Sequence, residues 1–273
     1  MTLNATRYFS NSIVGQPQVG ADINILETNA LPKYNVGFGF TRADGNKYRY
    51  GYANAGVAAG LLVAPTFASS GVATFDNVVV LPASAVAVAG EVILPGRIGS
   101  RYLEVTKASV TAGQYKGGYL VIEDGSGKGY TYRIKSNTAT GNPATLTIRI
   151  ELYEKLKANL SDDTDMTITP SLWNDVVIAD STNVMVAGVS CSTTTSTLPY
   201  GWFCTKGQCA CKQTGTVVLG QGVQLSIQGG GGCVSTWGMA YTTLASLLGV
   251  AQVGICMAVG ANGEYATINI DLE

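Results

Sequence analysis

Residues Ala112–Ile150 read AGQYKGGYLVIEDGSGKGYTYRIKSNTATGNPATLTIRI, and this stretch decides the fold class. Tyr119–Glu123 and Tyr130–Lys135 are rich in aromatic and β-branched side chains, the composition of strands. Between them, Asp124-Gly125-Ser126-Gly127-Lys128-Gly129 tolerates positive φ and lets the chain reverse. Further on, Ala144–Glu151 sets Leu146, Ile148 and Ile150 against Thr145, Thr147 and Arg149, one face buried and one wet. The spacing predicts a β-meander with Gly125–Gly129 exposed at the tip of its first hairpin.

Outward from this centre the β pattern continues. Tyr34–Thr41 alternates Val36, Phe38 and Phe40, and Lys47–Ala53 follows across the turn Ala43-Asp44-Gly45-Asn46. Leu61-Leu62-Val63 and Asp76–Leu81 read as strands buried on both faces, and the valines of Ala83–Gly90 favour extended chain over helix. Pro95-Gly96 marks a boundary, with a new strand at Tyr102–Val105. Leu152, Leu156 and Leu160 recur at helical spacing and predict a short helix over Leu152–Leu160, with a second helical turn at Thr243–Leu248. Met166–Thr169, Val176–Ala179 and Val184–Val189 resume the β pattern.

Lys47–Tyr50 followed by Gly60–Val63 is echoed by Gly201–Cys204 followed by Gly222–Leu225, which predicts that the two flanks pair. The expected organisation is an N-terminal arm at 1–31, a composite β domain of 32–97 with 176–273, and an inserted β domain at 98–175. The fold class is all-β: barrel or sandwich-like domains with short hairpins and at most one or two short helices.

Composition narrows the function. Among 273 residues, 17 Lys+Arg stand against 18 Asp+Glu, so no basic surplus exists for phosphates and no nucleic-acid partner is expected. The absence of histidine removes the commonest general base and the Ser-His-Asp and Cys-His arrangements. Val78–Leu94 carries Pro82, Ser84, Gly90 and Glu91, so no membrane span is expected. MTLNATRYFSNS has no basic region leading into an apolar core, so no secretory signal is expected. Charged residues at 13% beside 46% hydrophobic suit a surface partly covered by other copies or by a lattice.

No constellation points to catalysis. Lys128 is followed by Gly129 and a strand, where a phosphate loop needs Ser or Thr opening a helix. Asp162, Asp163 and Asp165 lack the ligand spacing of a calcium loop, and nothing places any two of Glu123, Asp124, Glu151 and Glu154 around a cleft. No catalytic residue, cofactor site or metal site is assigned, and the chain is not expected to be an enzyme. The six cysteines, Cys191, Cys204, Cys209, Cys211, Cys233 and Cys256, are the candidate disulfide residues. Gly201–Gln213 predicts a hairpin turning at Lys206-Gly207 or Gly207-Gln208, with Cys204, Cys209 and Cys211 on one face. Disulfides within or between subunits, buried free thiols and a zinc site all remain open.

The pattern GQYxGGYLVIxDGxGxGYTYRIKS over Gly113–Ser136 resembles virion proteins of tailed bacteriophages, in particular those that decorate or cement the capsid. Ala43–Tyr50, Ala55–Gly60, Tyr200-Gly201-Trp202 and Gly263-Glu264-Tyr265 extend the resemblance. It implies a homotrimer made in the bacterial host cytoplasm that binds the major capsid protein on the outer capsid surface and stabilises the shell. Alternatives within the same resemblance are a tail or fibre component, or a surface glycan-binding β module with Trp202 or Trp237 on an exposed rim.

Overall fold

The computed structural model describes residues 23–66, 95–140, 146–161, 163–181, 185–226, 231–236 and 252–273, with the backbones of short strands at 18–19, 73–75, 86–88 and 91–93. The fold is all-β, and no α-helix occurs among the described residues. In chain order, β1 (Gln18–Val19), β2 (Gly39–Thr41), β3 (Lys47–Tyr52) and β4 (Leu62–Pro65) come first. Then follow β5 (Ala73–Phe75), β6 (Val86–Val88), β7 (Glu91–Ile93), β8 (Tyr102–Thr106), β9 (Tyr119–Asp124), β10 (Thr131–Asn137), β11 (Thr147–Leu152) and β12 (Asp165–Thr169). The last group is β13 (Val176–Ile178), β14 (Gly188–Ser190), β15 (Tyr200–Lys212), β16 (Gly222–Leu225), β17 (Val234–Thr236), β18 (Gln252–Ala258) and β19 (Tyr265–Asp271). The stretches 1–17, Asp76–Leu81 and Thr243–Leu248 lie outside the described residues.

The chain divides into two compact units, with Thr66–Asn174 inserted between Met1–Pro65 and Asp175–Glu273. The first boundary therefore falls at Pro65 and not at Pro95-Gly96. Its physical reason is β5, which pairs with β12 from Met166↔Phe75 to Ile168↔Ala73 and so belongs to the inserted unit's sheet.

The inserted unit is built on a six-stranded antiparallel sheet in the order β5-β12-β9-β10-β11-β8, in which β9, β10 and β11 form the meander. Alternation sorts its faces: Ile148, Ile150 and Leu152 are buried together with Leu120, Ile122, Ile134, Leu103, Val105, Met166 and Ile168. The wetter face carries cross-strand ion pairs, Arg149 to Glu104 at 2.7 Å and Lys135 to Glu151 at 2.7 Å.

Two expectations change in this unit. Leu152–Leu160 is not a helix. Leu152, Leu156 and Leu160 are all buried, but their N–H groups donate to Arg101, Ser100 and Gly96 carbonyls, so the spacing pins an extended segment along residues 96–101. In the glycine loop Asp124, Lys128 and Gly129 are exposed, whereas Gly125–Gly127 are only half-exposed. Gly125, at φ 73°, lies against the backbone of Asp163, where an added Cβ would stand 2.0 Å from its carbonyl oxygen. A side chain at that position would block the close approach of the two segments.

The outer unit has the strand path β1-β2-β3-β15-β19-β18-β16-β17, with β1–β2 parallel and the other pairs antiparallel. On its other branch β14 joins β15 to β4, and β4 also pairs β13. Gly232, just ahead of β17, donates to Ala179 and accepts from Leu62, so the sheet curls back on itself around one core. The two echoed segments meet directly, since Tyr50 on β3 is paired with Trp202 on β15. Trp202 is buried, with the rings of Tyr34, Phe38, Phe40 and Tyr50 within 5.2–6.2 Å.

Candidate functional site

The cysteine-bearing segment is the candidate site that the sequence marked most sharply. Tyr200–Lys212 is one continuous 13-residue strand, so the expected hairpin does not form. At its middle the chain changes partners without reversing: Lys206 faces Lys47 on β3 and Asp271 on β19. Gly207 has φ 101°, and the Asn46 side-chain carbonyl sits over it, accepting the Gln208 N–H at 3.3 Å. The turn signal in Lys206-Gly207-Gln208 is thus expressed as a β-bulge, seen as the register shift against β3 between Cys204 and Lys206.

The bulge adds a residue and resets the inward–outward alternation. Cys204 ahead of it and Cys209 and Cys211 beyond it all turn toward the core, by a bulge and not by a turn. The sulfurs of Cys209 and Cys211 are 3.6 Å apart, Cys204 bonds the Lys206 carbonyl, and the Cys204 and Cys209 thiols perturb one another. Cys191, beside this strand, donates its N–H to the Trp202 carbonyl at 3.0 Å and packs against the same core. Cys256 is buried on β18, and Cys233 stands apart ahead of β17. All six are free thiols.

The electrostatics keep Cys191, Cys204, Cys209, Cys233 and Cys256 protonated at neutral pH. Burial pushes Cys191 well above the ordinary thiol range. The contact with Cys209, then burial, does the same for Cys204. For Cys209 the hydrogen bond from Cys204 pulls down, but the Cys211 contact and burial outweigh it and the result is raised. Burial also raises Cys233 and Cys256. A protonated, buried thiol is neither a good nucleophile nor a metal ligand. Among the described residues no group of three or more His, Cys, Asp or Glu side chains is arranged to hold a metal ion, so the zinc arrangement is not formed there.

The remaining constellations are occupied by the scaffold. In the glycine loop the Gly129, Lys128 and Tyr130 N–H groups donate to Ile122, Gly125 and Gly127 carbonyls, so these three are turned inward and not toward an anion. Asp124 is held below the usual carboxylate range first by the Gly125 N–H and then by Lys128. Glu123 accepts from Thr167, Glu154 from the Arg133 N–H, and Glu151 from Lys135, Ser136 and Tyr102. Asp163 accepts from Ser161, whereas Asp162 lies outside the described residues. Of the two tryptophans considered for a glycan rim, Trp202 is buried and Trp237 lies outside the described residues.

One surface escaped the sequence reading. Ile255, Met257 and Val259 project outward along β18 and its continuation, beside Val218 and Leu219. Their signal in the sequence is a two-residue spacing, easily lost in a segment where nearly every residue is apolar. No family model, curated protein or solved structure matches this chain.

Proposed function

We propose that this chain is a structural protein of a tailed-bacteriophage particle: a capsid decoration protein, homotrimeric, that binds the outer surface of the major capsid protein lattice and stabilises the shell. The observation that carries the reading is the Gly113–Ser136 pattern, which forms the central hairpin of the inserted unit. The chemistry around it supports a mechanical role. The thiols of Cys191, Cys204 and Cys209 pack against the core and are held protonated, the named carboxylates are tied to neighbours, and large apolar side chains such as Leu219 remain at the surface. Free thiols also suit synthesis in a reducing cytosol. Each subunit adds a modest contact across a seam between capsomers, and repetition over the lattice multiplies these into a strong net.

Purified protein is added to shells that lack it, and the bound copies are counted by quantitative mass spectrometry. Saturation at a copy number on the scale of the major capsid protein, with shells that survive higher temperature, is the expected result. Failure to bind shells, or recovery only with tails, overturns the proposal.

A further inference from the structure

We propose that the outer face of β18, with the adjoining 218–221 turn, is the surface through which a second copy of this chain docks. This rests on the self-association in the function proposed above and names the residues that carry it. The stripe is built by β18 itself: Val253 and Cys256 go into the core, and Ile255, Met257 and Val259 are left outside at 42%, 46% and 50% exposure. The 218–221 turn is fastened beside it, with the Gly220 N–H donating to Cys256 at 2.8 Å and the Cys256 N–H to Gln221 at 2.9 Å. That brings Val218 and Leu219, 39% and 65% exposed, alongside Ile255 and Met257.

The choice of partner follows from charge. From Gln213 to Gly263 the sequence contains no Asp, Glu, Lys, Arg or His. A partner recognised by its charges finds little to pair with on this face, whereas the same neutral, apolar stripe of each copy can converge on a three-fold axis and be buried there against the next copy. Charges stand only at the margin: Glu264, which accepts the Ala261 N–H at 3.0 Å just past Val259, and Lys206, which pairs with Asp271 at 2.8 Å next to the exposed Asn269 of β19. An uncharged apolar centre with a polar rim is the anatomy of a subunit contact. The exposed apolar area is on the order of 400 Å², the size at which a patch on a monomer marks a contact site. It is about half of the ~800 Å² per partner of a standard interface, so the rim residues must close in as well.

The test is the oligomeric state of the full chain without shells, by native mass spectrometry and sedimentation. Wild type is expected to self-associate. Leu219→Glu with Met257→Glu, which sets carboxylates in the contact, is expected to weaken association at least about tenfold with an unchanged melting temperature. Met257→Gln, neutral and hardly disturbing to the fold, should give a smaller loss in the same direction. An unchanged oligomer in both variants overturns the proposal, and so does a wild-type monomer at every concentration. If that monomer binds shells and Met257→Glu abolishes the binding, the face belongs to the capsid lattice and not to a second copy. Shell binding is scored separately, so failure to bind shells overturns the decoration function and leaves the self-association result standing.

Discussion

Gly207 directly follows Lys206, where β15 changes partners, and its environment is tight against any side chain. Its φ of 101° is unfavourable for any side chain, and an added Cβ would stand 1.7 Å from Asn46 Oδ1. Gly207→Ala is expected to lower stability by about 2–3 kcal/mol, measured by chemical denaturation. Adding Asn46→Ala should recover part of that loss, because the clash is relieved while the φ penalty stays. The thiols make a second test at this scale. In the unfolded chain they ionise near pH 8.5. In the fold Cys191, Cys204 and Cys209 are raised far above that, so the native state holds its protons longer. Their contribution is therefore fully present below about pH 8.5 and eroded as pH rises, by up to about 1.4 kcal/mol per pH unit for each thiol. Under reducing conditions the denaturation midpoint should drop between pH 8.5 and 10, and a Cys→Ala variant at all three positions should flatten the drop. Alkylation follows the same logic: slow labelling of the folded protein at pH 8, six labels once it is denatured.

Among the elements, the meander was the most legible, because period-two alternation and the Asp-Gly turn chemistry argue for the same structure. Ile148 and Ile150 are buried where alternation put them, with Arg149 between them on the wetter face. Two elements depart from what their sequence pattern predicts, each for a physical reason. Leu152, Leu156 and Leu160 have the spacing of a helix face, but burial at every fourth residue is also met by an extended segment that touches a core at intervals. Lys206-Gly207-Gln208 has the chemistry of a reversal, yet a positive φ serves a bulge as well as a turn, and only the partners Lys47 and Asp271 decide between them. The grouping of Cys204 with Cys209 was expected from a hairpin and arises from the bulge. The outward stripe on β18 was not legible, because in a run without charges the sequence does not say which apolar residues stay outside. The Glu151–Lys135 pair tests the wet face of the meander. Burial pushes Glu151 up, but hydrogen bonds from Lys135 and Ser136 more than offset it and the net direction is down, while the bond to Glu151 raises Lys135. The Glu151 contribution is thus present above about pH 4.3 and lost as pH falls through its lower folded value. The Lys135 contribution is present below about pH 10.4 and lost as pH rises through its higher one. Glu151→Gln should cost under about 1 kcal/mol at pH 7 and remove the acid-side slope in a melting-temperature profile.

At the scale of the whole molecule, the echo between residues 47–63 and 201–225 was enough to show that the flanks of an insertion belong together. The position of the first boundary was not readable, because it depends on which sheet recruits β5. Each unit has its own core and its own sheet, so residues 66–174 expressed alone should unfold in one cooperative transition by calorimetry. A broad, non-cooperative melt would show that the inserted sheet depends on the rest of the chain. The insertion also sets a schedule for synthesis. In the outer unit, Thr205 bonds the Lys47 carbonyl across 158 residues and Arg49 bonds Glu273 across 224. Residues 66–174 can fold as soon as they clear the ribosome, while β3 waits for β15, and the second half of β15 waits for β19. The β18 face gains its neighbouring strand only when residues 265–271 have emerged, so chains that have not reached that point cannot pair through it prematurely. A ribosome stalled before residue 265 should hold a protease-resistant inserted unit beside an outer unit that is still cleaved.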